Sequence, residues 1–223
     1  MTDAAELLAE QREVLDRALE RARDLGFLGR TSIDDHVAHA SGFAAAWATS
    51  RSGPGDRGSP ERVLDLGSGG GLPGLVLAIL WPEATVTLLD ANERRTHFLR
   101  GVSTEEPWRG RVTVVEGRAE QLAHELALRA MFDLVVSRSF GPPSAVAECG
   151  GPFLTETGEL VVSEPPDSTG ERWSASGLAE LGLGRAETVA IDGRGWVVIP
   201  RTGPMPARYP RRVGLPTKRP LFG

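Results

Sequence analysis

Residues 62–92 carry the side-chain types and the spacing that could do chemistry in this sequence. Four glycines stand within five positions directly after an apolar run, namely Gly67, Gly69, Gly70 and Gly71. Glycine adopts a positive φ without strain and lets the backbone approach a ligand that a Cβ would hold away. Asp90 lies 19 residues beyond Gly71, where an acid can bind the hydroxyl pair of a ribose. The segment therefore predicts a nucleotide-cofactor site, against the alternative of a glycine-rich turn without a ligand.

Apolar runs on either side of this loop predict the elements that position it. Residues 63–66 and 86–89 have the length and composition of buried parallel strands. Residues 75–81 predict a helix whose N-terminus faces the loop, and Pro82 ends that helix. Together they predict a strand–loop–helix–strand unit with its ligand beyond the carboxyl ends of the strands.

Two cofactors compete for this unit. Gly69, Gly71 and Gly74 satisfy the G-x-G-x-x-G pattern of dinucleotide-binding proteins. Asp65, inside the first strand, could instead organise the loop and attract the ammonium of S-adenosylmethionine. Pro73 removes an N–H where a helix that binds pyrophosphate would need donors. S-adenosylmethionine is therefore favoured, and an NAD-dependent dehydrogenase is kept as an alternative.

The order of the predicted strands supports the same choice. Apolar runs predict further parallel strands at 111–115, 132–136 and 159–162, and a strand–turn–strand at 185–192 and 195–200. Five parallel strands closed by a C-terminal antiparallel hairpin are the layout of class I S-adenosylmethionine-dependent methyltransferases. This is a Rossmann-like α/β fold with a mostly parallel seven-stranded sheet, whereas a dehydrogenase would more often add a parallel sixth strand.

Composition and helical periodicity divide the chain into three predicted parts. Residues 1–58 form a small N-terminal helical extension and linker, residues 59–202 the methyltransferase domain, and residues 203–223 a basic tail. Within the first part, helices are predicted at 3–25 and 33–50, and the linker at 51–60. A chain of 223 residues, 40% hydrophobic and 25% charged, suits one α/β domain with a modest extension. No apolar run approaches membrane-spanning length, so the cytoplasm is the expected compartment.

The cysteine and two of the histidines limit which kinds of site the chain can contain. Cys149 is the single cysteine, which excludes a disulfide framework and a cysteine-rich metal site, and we expect it in the core. His36 and His39 share a helix face, but no acidic ligands accompany them, so no metal site is predicted.

The net charge is −5, yet residues 193–223 carry seven basic residues and no acidic one. This asymmetry suits either a tail that faces nucleic acid or a solvated tail.

These motifs resemble those of the RsmG (GidB) family, which methylates N7 of a guanosine in 16S ribosomal RNA. The stretches that match are 64–74, 88–90, 94–100, 117–120, 132–133, 137–140 and 208–221. The resemblance implies S-adenosylmethionine as the cofactor and 16S rRNA or the small ribosomal subunit as the partner. It also implies that the cofactor contacts Gly67, Leu72, Ala119, Glu120 and Arg138. We also expect a monomer, with no metal and no membrane as partners.

The full set of predicted site residues also includes two residues of the glycine loop and the two aspartates that flank it in sequence. The additional cofactor-binding residues are Asp65, Ser68, Gly69 and Asp90. On the substrate side, Arg138 could bind the cofactor carboxylate, a phosphate or the substrate, and Phe140 could stack on a base or anchor the core. Arg211 and Arg212 of the tail are expected to bind RNA phosphate. No catalytic side chain is named, because guanine N7 has an available lone pair and needs no general base.

One departure from the family pattern keeps other functions open. Ser163 and Glu164 stand where the family typically has Lys-Gly after the fifth strand. The second hypothesis is therefore a small-molecule methyltransferase that keeps the family's cofactor half, with Glu164 or Asp167 as a base for an amine or hydroxyl. A binding module without turnover is the third hypothesis, and the dehydrogenase is the fourth.

Overall fold

A computed structural model describes residues 4–49, 58–165 and 167–223 of the chain, and most of the predicted linker at 51–60 lies outside these residues. The described residues contain seven strands: β1 (Arg62–Leu66), β2 (Thr85–Asp90), β3 (Val112–Glu116), β4 (Phe132–Ser137), β5 (Leu154–Glu164), β6 (Glu187–Ile191) and β7 (Arg194–Pro200). They form one sheet in the order β3-β2-β1-β4-β5-β7-β6.

The pairing of the strands confirms the predicted sheet. β1 to β5 are parallel, and β7 lies antiparallel between β5 and β6. β1 is buried over four of its five residues, as expected for a parallel strand covered on both faces. The chain order reverses between β1 and β4, and open α/β sheets bind ligands beyond the carboxyl ends of the strands at such a reversal. In the described residues, the sheet does not continue with a sixth strand paired in parallel to β5, as a dehydrogenase would more often have.

Nine α-helices surround the sheet in the described residues. They are α1 (Ala4–Glu10), α2 (Arg12–Asp24), α3 (Ile33–Thr49), α4 (Gly74–Leu80), α5 (Glu93–Ser103), α6 (Ala119–Leu122), α7 (Pro143–Gly150), α8 (Ala175–Glu180) and α9 (Leu215–Lys218). None of the helices in the described part of the chain is long and apolar enough to cross a membrane.

Three predicted elements need correction. The single helix predicted at 3–25 is divided at Gln11 into α1 and α2, and β5 is much longer than the predicted strand at 159–162. The sequence also predicts a helix at residues 119–129. In the structure α6 ends at Leu122, because the guanidinium of Arg129 donates to the Ala123 carbonyl over 2.8 Å and replaces further helical bonding there.

Alternate residues of the sheet feed two apolar cores, one on each face. Val63 belongs to the core that also contains α2, α3 and α4, and Leu64 belongs to the core that contains α7 and α8. In α3, Gly42 lies so close to the ring of Trp196 that a Cβ there would stand 2.1 Å from its Cζ2 atom. The N-terminal helices therefore share a core with the sheet. The division of the chain at residues 58 and 202 stays a prediction.

Candidate active site

The glycine loop after β1 is tied to β2 and pressed against the loop that follows β4. The N–H groups of Gly67 and Ser68 donate to the Leu89 carbonyl over 2.8 and 3.0 Å. Gly67 has a φ of +77°, and a Cβ there would lie 2.7 Å from Cδ2 of Phe140. Both the conformation and the close approach require glycine at this position.

Asp65 connects the end of β1 with the start of α4. Its Oδ2 accepts a hydrogen bond of 2.8 Å from the Gly74 N–H, and its Oδ1 is buried without a partner among the described residues. Burial raises the pKa of Asp65 to about 7, and the nearby charge of Asp90 adds to the rise. The Gly74 N–H and the charge of Arg138 act in the opposite direction. A buried acceptor of this kind needs a donor or a cation beside it.

Asp90 ends β2 and holds the loop from the other side. Its Oδ2 accepts from the Gly69 N–H over 2.9 Å, and its Oδ1 accepts from the Asn92 N–H over 2.8 Å. Nη1 of Arg95, a residue that sequence reasoning did not assign, lies 3.5 Å from the same Oδ2. A carboxylate has about four lone-pair positions, so Asp90 keeps acceptor capacity for a ribose diol.

Arg138 follows β4 and is held by a histidine of the N-terminal extension. Its Nη2 lies 2.8 Å from Nδ1 of His36, and its Nη1 is buried without a partner among the described residues. Burial lowers the pKa of His36, which suits a neutral ring that donates from Nε2 to the Gly29 carbonyl and accepts at Nδ1. The described residues contain no cluster of three or more His, Cys, Asp or Glu that could hold a metal. His36 therefore serves to orient Arg138, a role that its sequence spacing did not indicate.

Two adjoining pockets form one cleft beyond the carboxyl ends of the parallel strands. The first pocket, of about 210 Å³, is lined by five predicted residues: Gly67, Ser68, Gly69, Leu72 and Arg138. The second pocket, of about 250 Å³, is lined by five as well: Gly67, Asp90, Ala119, Glu120 and Phe140. Arg95 and Ser139 line both pockets, although sequence reasoning assigned neither. Except for Asp65, which is buried beneath the loop, the structure therefore brings the predicted cofactor set together in one cleft.

The C-terminal segment closes the far side of the second pocket. Glu120 accepts a hydrogen bond of 2.9 Å from the Gly214 N–H, and Thr217 of α9 lines the pocket. Cys149 also lines it but is buried, and burial raises the pKa of its thiol well above the ordinary value. An inert thiol fits the expected core position. The closing role of Thr217 had no signal in the sequence.

The two tail arginines have different surroundings. The guanidinium of Arg211 binds both carboxylate oxygens of Glu148, with Nε–Oε1 and Nη2–Oε2 distances of 2.8 and 2.7 Å. The Glu148 side chain is fully buried, so this pair joins the tail to α7. Arg212 is exposed. Contact with RNA stays a prediction for both residues, and the geometry favours Arg212 because the guanidinium of Arg211 already has partners.

Two polar atoms, one beneath the glycine loop and one on a residue of the cleft wall, test which cofactor the residues fit. Among the described residues, Oδ1 of Asp65 is an acceptor without a donor, and Nη1 of Arg138 is a donor without an acceptor. An amino acid supplies both complements, an ammonium and a carboxylate. The second pocket offers Asp90 for a ribose and apolar surface from Leu89 and Ala119 for a base. A nucleoside joined to an amino acid, which S-adenosylmethionine is, fits this two-part cleft.

The fold and the cleft together define a class I S-adenosylmethionine-dependent methyltransferase. Two solved structures share the fold: an O-methyltransferase from Bacillus cereus in complex with SAH (TM-score 0.58, 14% identity, 85% of this chain and 91% of that chain) and cofactor-bound Rv0187 from MTB (TM-score 0.58, 20% identity, 86% and 91%). The family model for GidB, rRNA small subunit methyltransferase G, matches residues 54–166, and the chain belongs to this family.

Sequence relatives agree with the family model. "Ribosomal RNA small subunit methyltransferase G" of Prochlorococcus marinus (strain MIT 9313) is 36% identical over 169 residues, which cover 73% of this chain and 68% of the relative. The protein of the same name from Thermotoga sp. (strain RQ2) is 36% identical over 166 residues, which cover 72% of each chain. The resemblance noted in the sequence is confirmed.

Proposed function

We propose that this protein transfers the methyl group of S-adenosylmethionine to N7 of a guanosine in 16S ribosomal RNA. The observation that carries the proposal is a pair of atoms without partners among the described residues: Oδ1 of Asp65, buried beneath the glycine loop, and Nη1 of Arg138, a residue that lines the first pocket. They complement the two charged groups at the amino-acid end of the cofactor. Membership in the rRNA small subunit methyltransferase G family supports ribosomal RNA as the acceptor.

The residues of the cleft act by binding and orienting. Arg138 in the wall of the first pocket, with Asp65 beneath the glycine loop, is proposed to hold the amino-acid end. Asp90 is proposed to take the ribose, and the segment at Ala119 and Glu120 to contact the base. The cofactor, when bound, supplies an electrophilic methyl group on sulfur. Since guanine N7 already has an in-plane lone pair, the protein needs no general base, and its task is to align the nitrogen with the methyl group. Effective molarities of about 10⁵–10⁸ M show how much alignment alone can contribute.

The RNA side of the proposal uses the basic C-terminal segment. Arg212 is exposed and lies three positions before α9, and its side chain has no hydrogen bond or ion pair among the described residues, so it is available to a phosphate. Phosphate contacts of this kind make binding strongly dependent on salt. The protein is proposed to act as a monomer in the cytoplasm, on the small ribosomal subunit or on its RNA.

The test is transfer of labelled methyl from S-adenosylmethionine to small ribosomal subunits that lack their own guanosine methylation. We expect label at N7 of a guanosine in 16S RNA, and strong loss of label with Asp90→Ala, which removes the acceptor for the ribose. Label in a different RNA, or at a different atom, would replace the proposed acceptor while the methyltransferase class stands.

A small-molecule methyltransferase is the second candidate, and one observation favours it. Glu164 is a buried carboxylate beside a pocket next to the cofactor cleft, where it could accept a proton from an amine or hydroxyl. Activity on such a substrate would hardly change with added salt. Activity that falls steeply between low and moderate salt supports the RNA acceptor instead.

A further inference from the structure

A third pocket lies beside the cofactor cleft, between the ends of β4 and β5. It has a volume of about 260 Å³. Ser139 lines this pocket and both halves of the cofactor cleft, and Phe140 lines this pocket and the second one. A molecule in the third pocket would therefore adjoin the cleft across these two residues. We name it the acceptor pocket.

Glu164, the last residue of β5, places a carboxylate in the wall of the acceptor pocket. Its side chain is only 3% exposed, and Nη1 of Arg172 lies 3.6 Å from its Oε2. The hydroxyl of Ser168 donates to the same Oε2. Oε1 has no hydrogen-bond partner among the described residues. Oε1 is not one of the fully buried atoms without a partner, so it is open to the pocket and can accept a hydrogen bond from a ligand.

The other walls of the acceptor pocket suit a flat ring. Val146 and Val162 contribute apolar surface, and Trp173 and Phe140 contribute aromatic surface. The Trp173 side chain is buried, and its indole N–H has no partner among the described residues. Aromatic side chains of this kind stack on nucleobases.

The carboxylate decides which base fits. An ionised carboxylate accepts hydrogen bonds and cannot donate them. Guanine presents two adjacent donors, N1–H and the 2-amino group, whereas adenine and cytosine each present an amino group beside an acceptor nitrogen. Guanine N7 belongs to the other ring and stays free when the N1 and 2-amino edge is held. A guanine bound in this way can turn its N7 towards Ser139 and Phe140, where the pocket meets the cofactor cleft.

We infer that Glu164 recognises the acceptor guanine by accepting hydrogen bonds from its N1–H and 2-amino groups in the acceptor pocket. The inference rests on the proposed function and extends it, because it names the residue that selects the base. Ser168 and Arg172 are positioning residues, since they contact Oε2 and leave Oε1 available to the ligand.

The first test compares Glu164→Gln with the matched control Glu171→Gln, which changes an exposed glutamate of the same loop. The assay is methyl transfer to unmethylated small ribosomal subunits, together with the Kd for S-adenosylmethionine. We expect kcat/KM of Glu164→Gln to fall about 10-fold, the lower part of the range for a specific base contact, because one carboxylate oxygen makes the contact. The Kd for the cofactor should stay unchanged, which also shows that the variant is folded. Wild-type kcat/KM in Glu164→Gln would overturn the inference.

The second test separates base recognition from a merely structural role. Small subunits are reconstituted with inosine, which lacks the 2-amino group, in place of the guanosine that the wild-type enzyme methylates. The wild type should prefer guanosine several-fold, and Glu164→Gln should lose that preference. A variant that keeps the wild-type preference would show that Glu164 does not contact the base, while the proposed function stands. If the wild type binds the cofactor but labels no RNA, the proposed function fails and the guanine assignment fails with it.

Discussion

Nη2 of Arg138 lies 2.8 Å from Nδ1 of His36, across 102 positions of sequence. This contact joins α3 of the N-terminal extension to the loop that follows β4. It holds a partly buried guanidinium whose other terminal nitrogen, Nη1, has no partner among the described residues and belongs to a residue that lines the cofactor cleft. The N-terminal extension therefore belongs to the cofactor site in a physical sense, since it fixes the direction of a charge there.

Replacement of His36 should weaken cofactor binding indirectly, through its effect on Arg138. His36→Ala removes the acceptor for Arg138, and a lost hydrogen bond of about 0.5–1.5 kcal/mol corresponds to roughly a 2- to 12-fold rise in the Kd for S-adenosylmethionine. Isothermal titration calorimetry measures this Kd. His97→Ala, at an exposed position of α5, is the matched control and should bind like the wild type. Equal Kd values for both variants would count against the orienting role.

Cofactor affinity should rise with pH through the range set by Asp65. Its pKa is raised to about 7, so the carboxyl of the free protein gains its charge as the pH passes through that value. The ammonium of the cofactor binds the ionised form, and the Kd measured at pH 8 should therefore be lower than at pH 6. Asp65→Asn should bind more weakly and lose this pH dependence. If Asp65→Asn keeps the wild-type pH dependence of the Kd, a group other than Asp65 causes that dependence.

The same group should reduce the stability of the free protein as the pH rises. The pKa of Asp65 in the folded state exceeds its ordinary value of 3.8, so the folded state binds a proton that the unfolded state releases. The stabilisation is complete below about pH 4 and is lost as the pH rises through about 7. Urea titrations measure the unfolding free energy of the wild type and of Asp65→Asn. Between pH 5 and pH 8, the wild type should lose stability relative to the variant. A constant difference would contradict the linkage.

An alanine at Gly67 should damage both stability and cofactor binding. A φ of +77° costs a residue with a Cβ about 1–2 kcal/mol, and the Cβ would also meet the ring of Phe140 at 2.7 Å. Thermal or urea unfolding measures the loss, which we expect to be about 2 kcal/mol or more. Gly101→Ala is the control: this exposed helical glycine has open space around it and a helical φ, so alanine should stabilise by up to about 1 kcal/mol.

Arg211→Ala should destabilise the fold strongly. It would leave the fully buried carboxylate of Glu148 without its bidentate partner, and removal of one member of a buried pair costs about 3–5 kcal/mol. The unfolding free energy in urea measures the effect. Arg211→Ala combined with Glu148→Leu should recover part of the loss, because no unpaired charge then remains. A double variant as unstable as the single one would argue against the ion pair as the cause.

Arg212→Ala, in contrast to Arg211→Ala, should leave the stability of the fold nearly unchanged and should weaken RNA binding. The side chain is exposed, so unfolding should change by less than about 0.5 kcal/mol. If Arg212 binds an RNA phosphate, affinity for ribosomal RNA falls and the slope of log K against log salt decreases by about 0.7–0.9. Fluorescence anisotropy at several salt concentrations gives that slope. An unchanged slope would remove Arg212 from the RNA contact.

The prediction of the sheet succeeded because its signals are local. The apolar runs at β1, β2 and β4 and the glycine loop each lie within a few residues, where spacing alone indicates the conformation. The helix predicted at 119–129 was wrong because Arg129 takes over the Ala123 carbonyl, which apolar spacing does not indicate.

The sequence by itself determined the class I sheet, the glycine loop with Asp65 and Asp90, and the family. Only the tertiary structure decided the pairs of distant residues: His36 with Arg138, Arg211 with Glu148, and Glu120 with Gly214. It also decided that Glu164 stands in the wall of a pocket beside the cofactor cleft. Secondary structure follows from neighbours along the chain, whereas these contacts depend on how the packed elements bring together residues 63 to 102 positions apart.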